Sequence, residues 1–285
     1  MLRAPAALRA FLRQRGALLF SAVIVALFLA AAFAGRISPH DPAAVDLGAR
    51  YRPPSGDHPF GTDSLGRDVL SRTLHGARIS ISIGVLSRGA ALAVGVAAGL
   101  AAGTLGGRTD WVVMRLVDST LAFPSLLLAI GVAFFIGQGY ATLLISLTVV
   151  SWAPIARLVR SQALRLREQP FVEAARAYND STLRIVLLHI LPNCASIIIV
   201  AATSGIAAAI LGESSLSFLG LGPDPSVPTW GQMIASGLKD VFAPPPGHPW
   251  IYLFPGAFLF LTVLSFNVVG DLVRDALDPR LRGRR

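Results

Sequence analysis

The residues able to do chemistry fall into three groups, and only one has a spacing that points to a task. His40, His58, His75, His189 and His248 match neither His-Glu-x-x-His nor a Cys/His pattern, so no metal site is expected and the histidines are read as inert, with weak Ni²⁺ contact by the four outward-facing ones as the alternative. The sole lysine, Lys239, follows Leu238, which leaves no G-x-x-x-x-G-K-[ST] loop to grip a nucleotide. No nucleophile, acid–base pair or metal constellation assembles, so a catalytic chain is not expected. The third group is the stretch 173–192, EAARAYNDSTLRIVLLHILP, polar and charged between long apolar runs. A carboxylate on a short helix in that setting is a handle for another molecule.

The local sequence builds that handle. Pro170 suits the first turn of a helix, and residues 171–178 carry it forward to Asn179, which tolerates the left-handed conformation that ends helices. Asp180 or Ser181 then caps a second helix. The short helix spans roughly 13 Å at about 1.5 Å per residue, and a sharp turn sends the chain back into apolar sequence.

What positions the handle is a membrane bundle. The 285 residues are 53% hydrophobic and only 14% charged, with a mean hydropathy of +0.62, against about 25% charged in soluble domains. The net charge of +9 reports arginines clustered between apolar runs, not a nucleic-acid surface. Cys194 is alone, so no intrachain disulfide forms.

The expected fold is all-α, polytopic, with six transmembrane helices. Residues 1–16 form an N-terminal segment and 17–35 the first span, whose apolar run reaches about 27 Å as a helix. Ala32-Phe33-Ala34 before Gly35 imitates a signal-peptidase site, but the run exceeds the usual h-region of about 7–15 residues, so an uncleaved helix is expected. Residues 36–78 form an outer-face loop in which Asp63 and Asp68 serve as turn and helix cap. The membrane core covers 79–275, with the polar loop 168–192 and an outer loop 212–250; 276–285 is the C-terminal segment.

Within the core, spans are expected at 79–105, 110–137, from Tyr140 to about 159, 193–211 and 251–269. Gly95, Gly99 and Gly103 line one helix face for close approach by a neighbour, in this chain or another. Arg88 is expected to snorkel to the outer surface, Arg115 to pair with Asp118 one turn on, and Phe123-Pro124 to kink the third span. Glu213 is expected to end the fifth. Residues 229–241 read as an amphipathic helix, with Trp230 and Trp250 either interfacial anchors or part of a solute path. Seventeen arginines fall on the side of the 173–192 loop and eight basic residues on the other, placing that loop and both termini in the cytoplasm.

Several stretches resemble one family. Glu173, Ala174, Ala175, Leu191 and Pro192 match the EAA loop of inner-membrane permeases of binding-protein-dependent ABC importers, with Asn179 where the family has glycine. Phe60-Gly61-Thr62-Asp63 and Leu65-Gly66-Arg67-Asp68, the Ser217 to Gly222 run with Trp230-Gly231-Gln232, and residues 264–281 resemble hallmarks of its C-type dipeptide/oligopeptide/nickel branch. Leu272 stands there where a second glycine is common.

The resemblance implies a subunit of the bacterial inner membrane that forms a heterodimer with a second permease. It also implies two cytoplasmic ABC ATPases, an extracytoplasmic solute-binding protein and surrounding lipid, and no nucleic acid. This chain then holds no cofactor; ATP and Mg belong to the ATPases. Glu173, Ala174, Ala175, Arg176, Ala177 and Asn179 would form the ATPase-coupling helix, with Glu173 the main polar contact, and Leu191 and Pro192 a hinge. Peptide cargo is expected, with nickel or nickel chelates as the alternative and an ion-coupled secondary transporter as a third reading. Which residues bind substrate is not legible.

Overall fold

A computed structural model describes residues 15–241 and 247–277. The N-terminal Arg3, Arg9 and Arg13, the prolines 244–246 and the basic residues 280–285 lie outside the described residues. Among the described residues there is no strand; Thr62 and Asp68 form one isolated bridge.

The first apolar run forms α1 (Arg15–Ala32), whose Leu27 and Ala31 pack with Ala77, Ile81 and Phe266. Helix α2 runs over Val69–Leu105, 37 residues, and starts ten residues before the apolar stretch does. Asp68 explains the early start, because its side chain accepts from Ser71 N at 2.7 Å and caps the first turn. The polar residues of that first stretch are held by the preceding loop. Arg72, almost wholly buried, donates to Pro42 O at 2.9 Å and lies 3.7 Å from Asp63 Oδ2. Asp63 in turn accepts from the backbone of Leu65 and Arg67, at 2.9 and 3.0 Å, and from Arg67 Nε at 2.7 Å. Both carboxylates therefore act as turn and cap.

The third apolar run is broken. Helices α3 (Gly107–Leu121) and α4 (Ser125–Ile136) meet at 94° across Pro124, a far sharper event than the expected kink. Helix α5 (Tyr140–Leu166) carries Pro154 inside it. The short α6 (Pro170–Ala177) leads into α7, Thr182–Phe218, whose residues Val186–Ile190 form a π turn. Helix α8 (Trp230–Asp240) is the expected amphipathic one, and α9 (Trp250–Leu277) closes the described chain. By length and composition α2, α5, α7 and α9 are able to cross a membrane; the bent α3–α4 pair is a fifth only if it is one broken span and not a re-entrant loop.

Helices α2 and α5 share the most extensive contact. A Cβ on Gly95 would stand 2.7 Å from Trp152 O, one on Gly99 2.5 Å from Ala156 O, and one on Gly103 2.6 Å from Ala163 Cβ. The neighbour of the glycine face is thus in this chain. Where hydrophobic burial gives no drive, such backbone approach supplies the packing.

Helix α7 does not end at Glu213 but continues to Phe218. Glu213 is fully buried, accepting from Ser217 Oγ at 2.7 Å and Ser214 Oγ at 3.2 Å, with Ser80 also against it. Hydroxyls satisfy the carboxyl, so the helix carries a buried polar side chain without an unpaired group. Trp230 N donates to Ser80 Oγ at 3.3 Å and its Nε1 to Thr73 O at 3.0 Å, which ties α8 to α2. Trp230, with no exposed surface, is therefore neither an interfacial anchor nor a path residue. Trp250 is a packing donor too, its Nε1 reaching Thr62 O at 3.1 Å.

Candidate functional site

Helix α6 turns two faces in opposite directions. Val172 and Ala175 are buried in a cluster with Leu100, Ile155, Val159, Ala163, Ile185 and Ile190, drawn from α2, α5 and α7. Glu173, Ala174, Arg176 and Ala177 are exposed. Ala175 therefore serves the chain's own core, and of the two alanines only Ala174 lies on the free face. Neither Glu173 nor Arg176 has a side-chain hydrogen bond or ion pair among the described residues, so both are open to a partner.

The end of α6 is built as the sequence requires. Asn179 adopts φ +64°, its N–H donates to Arg176 O at 2.9 Å, and Asp180 N–H donates to Ala175 O at 3.1 Å. This is a Schellman stop with Asn in place of the commoner glycine. Ser181, not Asp180, then caps the next helix by accepting from Arg184 N at 3.4 Å. Asp180 instead lies 3.4 Å from Arg184 Nε. A left-handed stop and an N-cap thus follow one another directly between α6 and α7.

The π turn precedes Leu191 and Pro192 directly. Pro192 lacks the N–H that an α-helix needs, and a widened turn before it accommodates the loss without ending the helix. Leu191 is half-buried and Pro192 exposed. They sit inside one continuous α7, just after its π turn.

On the other side α6 is joined to α5, which is braced by ion pairs. Arg160 holds Asp110 at the start of α3, with Nη2 to Oδ2 at 2.6 Å, and Arg157 Nη2 lies 2.5 Å from Asp118 Oδ1. Asp118 therefore pairs across to α5 and not with Arg115, as expected from spacing alone. Arg115 instead lies over the Trp111 ring, 5.6 Å from its centre. Arg167 Nη1 donates to Gly103 O at 3.4 Å, linking the end of α5 to the end of α2.

Residues 95–283 match the family model described as the binding-protein-dependent transport system inner membrane component. This chain belongs to that family. Residues 6–54 match a second model, the N-terminal TM domain of oligopeptide transport permease C. The dipeptide transport system permease protein DppC of Bacillus subtilis (strain 168) is 41% identical over 260 residues, 91% of this chain and 80% of that protein. The oligopeptide permease OppC of the same organism is 42% identical, covering 91% and 84%. The glutathione transport system permease protein GsiD of Escherichia coli O6:K15:H31 is 42% identical over 96% of this chain and 90% of its own. An inward-facing MetNI methionine ABC transporter chain superposes with a TM-score of 0.57 at 19% identity, covering 73% of this chain and 97% of that one; this likeness carries the fold.

A feature of this permease that sequence reasoning missed lies at Arg88. Instead of snorkelling outward, Arg88 turns across to α7, where Nε donates to Ala201 O at 3.1 Å and Nη2 donates to the same oxygen. Gly205 makes the room, since a Cβ there would lie 1.9 Å from Arg88 Nε. A cleft of about 730 Å³ opens beside it, lined by Arg88, Pro154, Arg165, Ser196, Ser204 and Arg274 among others, and by no carboxylate. None of the three arginines is in an ion pair among the described residues. The signal available in the sequence was Arg88 and Gly205 on separate apolar runs, a pairing that only the packing of α2 on α7 reveals.

Proposed function

We propose that this permease forms, with a second and different permease subunit, the translocation path of an importer driven by two cytoplasmic ABC ATPases and fed by an extracytoplasmic solute-binding protein. The chain itself holds no cofactor, and ATP and Mg act on the ATPases. The observation that carries the coupling role is the two-faced α6, with Glu173 unpaired on its free face while Val172 and Ala175 fuse its other face to α2, α5 and α7. Closure of the ATPases pulls α6. The Schellman stop and the π turn pass that displacement into α7 and α5, and the bundle changes between two packings.

The cargo is peptidic, dipeptides or oligopeptides in the first place. The dipeptide, oligopeptide and glutathione permeases among its relatives support this. A carboxylate-free cleft with three arginines suits solutes bearing a carboxylate end, and Arg88 lines this subunit's share of the path. Both termini and α6 face the cytoplasm of a bacterial inner membrane, as the excess of arginine near α6 supports.

The experiment is Glu173→Lys in the assembled importer reconstituted in proteoliposomes. ATP hydrolysis should persist while peptide uptake falls, with membrane insertion unchanged. Uptake at the wild-type rate would remove Glu173 from the coupling contact.

A further inference from the structure

His40, His58 and Asp68 come from three separate stretches and converge at the N-terminal end of α2. His58 Nδ1 stands 2.9 Å and His40 Nδ1 3.7 Å from the same atom, Asp68 Oδ1. One donor atom from each residue lies within 4.8 Å of the other two. The two imidazoles stack, ring centres 4.6 Å apart and planes 29° from parallel. The five histidines, read from the sequence as unrelated, thus include one pair that shares a carboxylate.

A hydrogen bond accounts for His58 but not for His40, whose Nδ1 is beyond hydrogen-bond reach of Asp68. A shared cation accounts for both. Metal–ligand bonds of about 2.0–2.2 Å in tetrahedral geometry set neighbouring donors about 3.3–3.5 Å apart, and the observed 2.9 and 3.7 Å bracket that spacing. The ligands are also held in place. Asp68 spends Oδ2 on Ser71 N at 2.7 Å, which leaves Oδ1 to face the imidazoles, and its side chain is 1% exposed. The backbone N of His40 donates to Ser71 Oγ at 3.1 Å. His40 is 40% exposed, so a cation has a way in and a water a place as fourth ligand.

We propose that His40, His58 and Asp68 bind one late first-row divalent cation of the zinc type, which fastens the segment between α1 and α2 onto the capped end of α2. Two imidazole nitrogens and one carboxylate favour zinc, cobalt or nickel over magnesium or calcium, which prefer oxygen alone. The site rests on nothing in the transport reading.

The test uses the full chain, purified with a tag free of histidine and stripped of metal. Zn²⁺ is titrated by calorimetry and Co²⁺ by visible absorption. One Zn²⁺ should bind per chain, and the Co²⁺ complex should show low-coordinate d–d bands without thiolate charge transfer. His40→Ala, His40→Gln and His58→Ala should each weaken Zn²⁺ binding at least ~10-fold, the lower end of what even outer-shell changes cost, while His189→Ala leaves it unchanged. His40→Gln keeps a polar side chain at an exposed position, so folding is spared. No stoichiometric Zn²⁺ on the wild-type chain, undiminished affinity in the variants, or a thiolate band pointing to Cys194 would each overturn the assignment.

Discussion

Arg160 grips Asp110 through both carboxylate oxygens, Nη2 to Oδ2 at 2.6 Å, and joins the first turn of α3 to α5 beside the glycine face of α2. A Cβ on Gly103 would lie 3.0 Å from the carbonyl of that same Arg160. The ion pair and the close helix approach therefore secure one joint by two different means. The pair is only partly exposed, its side chains 28% and 22% accessible. Paired charges there contribute about 0.5–1 kcal/mol, within the range for exposed and partly exposed pairs. Thermal melts of Asp110→Ala, Arg160→Ala and the double variant should be non-additive, the double losing less than the sum. Strict additivity would mean that the two side chains do not work together.

Packing makes the stronger demand. Gly99→Ala places a methyl 2.5 Å from the backbone oxygen of Ala156, and backbone yields poorly. Overpacking of this kind costs about 1–3 kcal/mol, so the variant should melt lower and reach the membrane in smaller amount. Gly89→Ala, on the same helix with nothing within 4 Å of the new methyl, is the control and should be near neutral. Equal behaviour of the two would show that α2 and α5 stand further apart than described.

The capping residues and the glycine face were legible in the sequence because their meaning is local. Asn179 at φ +64° needs only its neighbours in the chain, and Asp68 reads as a helix cap for the same reason, though not as the cap of the long helix it begins. The start of α2 at Val69 was hidden because apolar periodicity does not register a polar helical turn whose groups are satisfied by a distant loop, as Arg72 is by Pro42. The same limit conceals Glu213, which looks like a helix stop until Ser80 and Ser217 arrive to satisfy it. Asp118 pairs with Arg157, 39 residues away, and not with Arg115 at one turn, because the bent third run lays α3 along α5. His40 and His58 follow the same rule, their partnership being made by the fold of a loop with no periodic signal at all.

Asn179 carries the one departure from the glycine of the EAA pattern, and its cost can be measured. A non-glycine residue in left-handed conformation is disfavoured by roughly 1–2 kcal/mol, less for Asn. Asn179→Gly should therefore leave stability and uptake within a few tenths of a kcal/mol of the wild type, since glycine adds chain entropy as it relieves strain. Asn179→Ala should destabilise by about 1 kcal/mol, and uptake should fall with it as the Schellman stop loosens. If Ala proved as good as Gly in both melts and uptake, the left-handed stop would have no part in holding α6.

Gly205 separates packing from function at Arg88. A methyl there falls 1.9 Å from Arg88 Nε, 2.0 Å from its Cζ and 2.3 Å from Nη2, all atoms of a flexible tip and none of them backbone. The guanidinium can swing away where the Ala156 carbonyl facing Gly99 cannot. Gly205→Ala should therefore melt closer to the wild type than Gly99→Ala does. The displaced Arg88 loses its bonds to the Ala201 carbonyl and shifts the positive charge within the cleft. Peptide uptake by the reconstituted importer should fall in Gly205→Ala and in Arg88→Gln alike, with ATP hydrolysis retained. Wild-type uptake in both variants would place Arg88 outside the path and leave its contact with α7 a matter of helix packing alone.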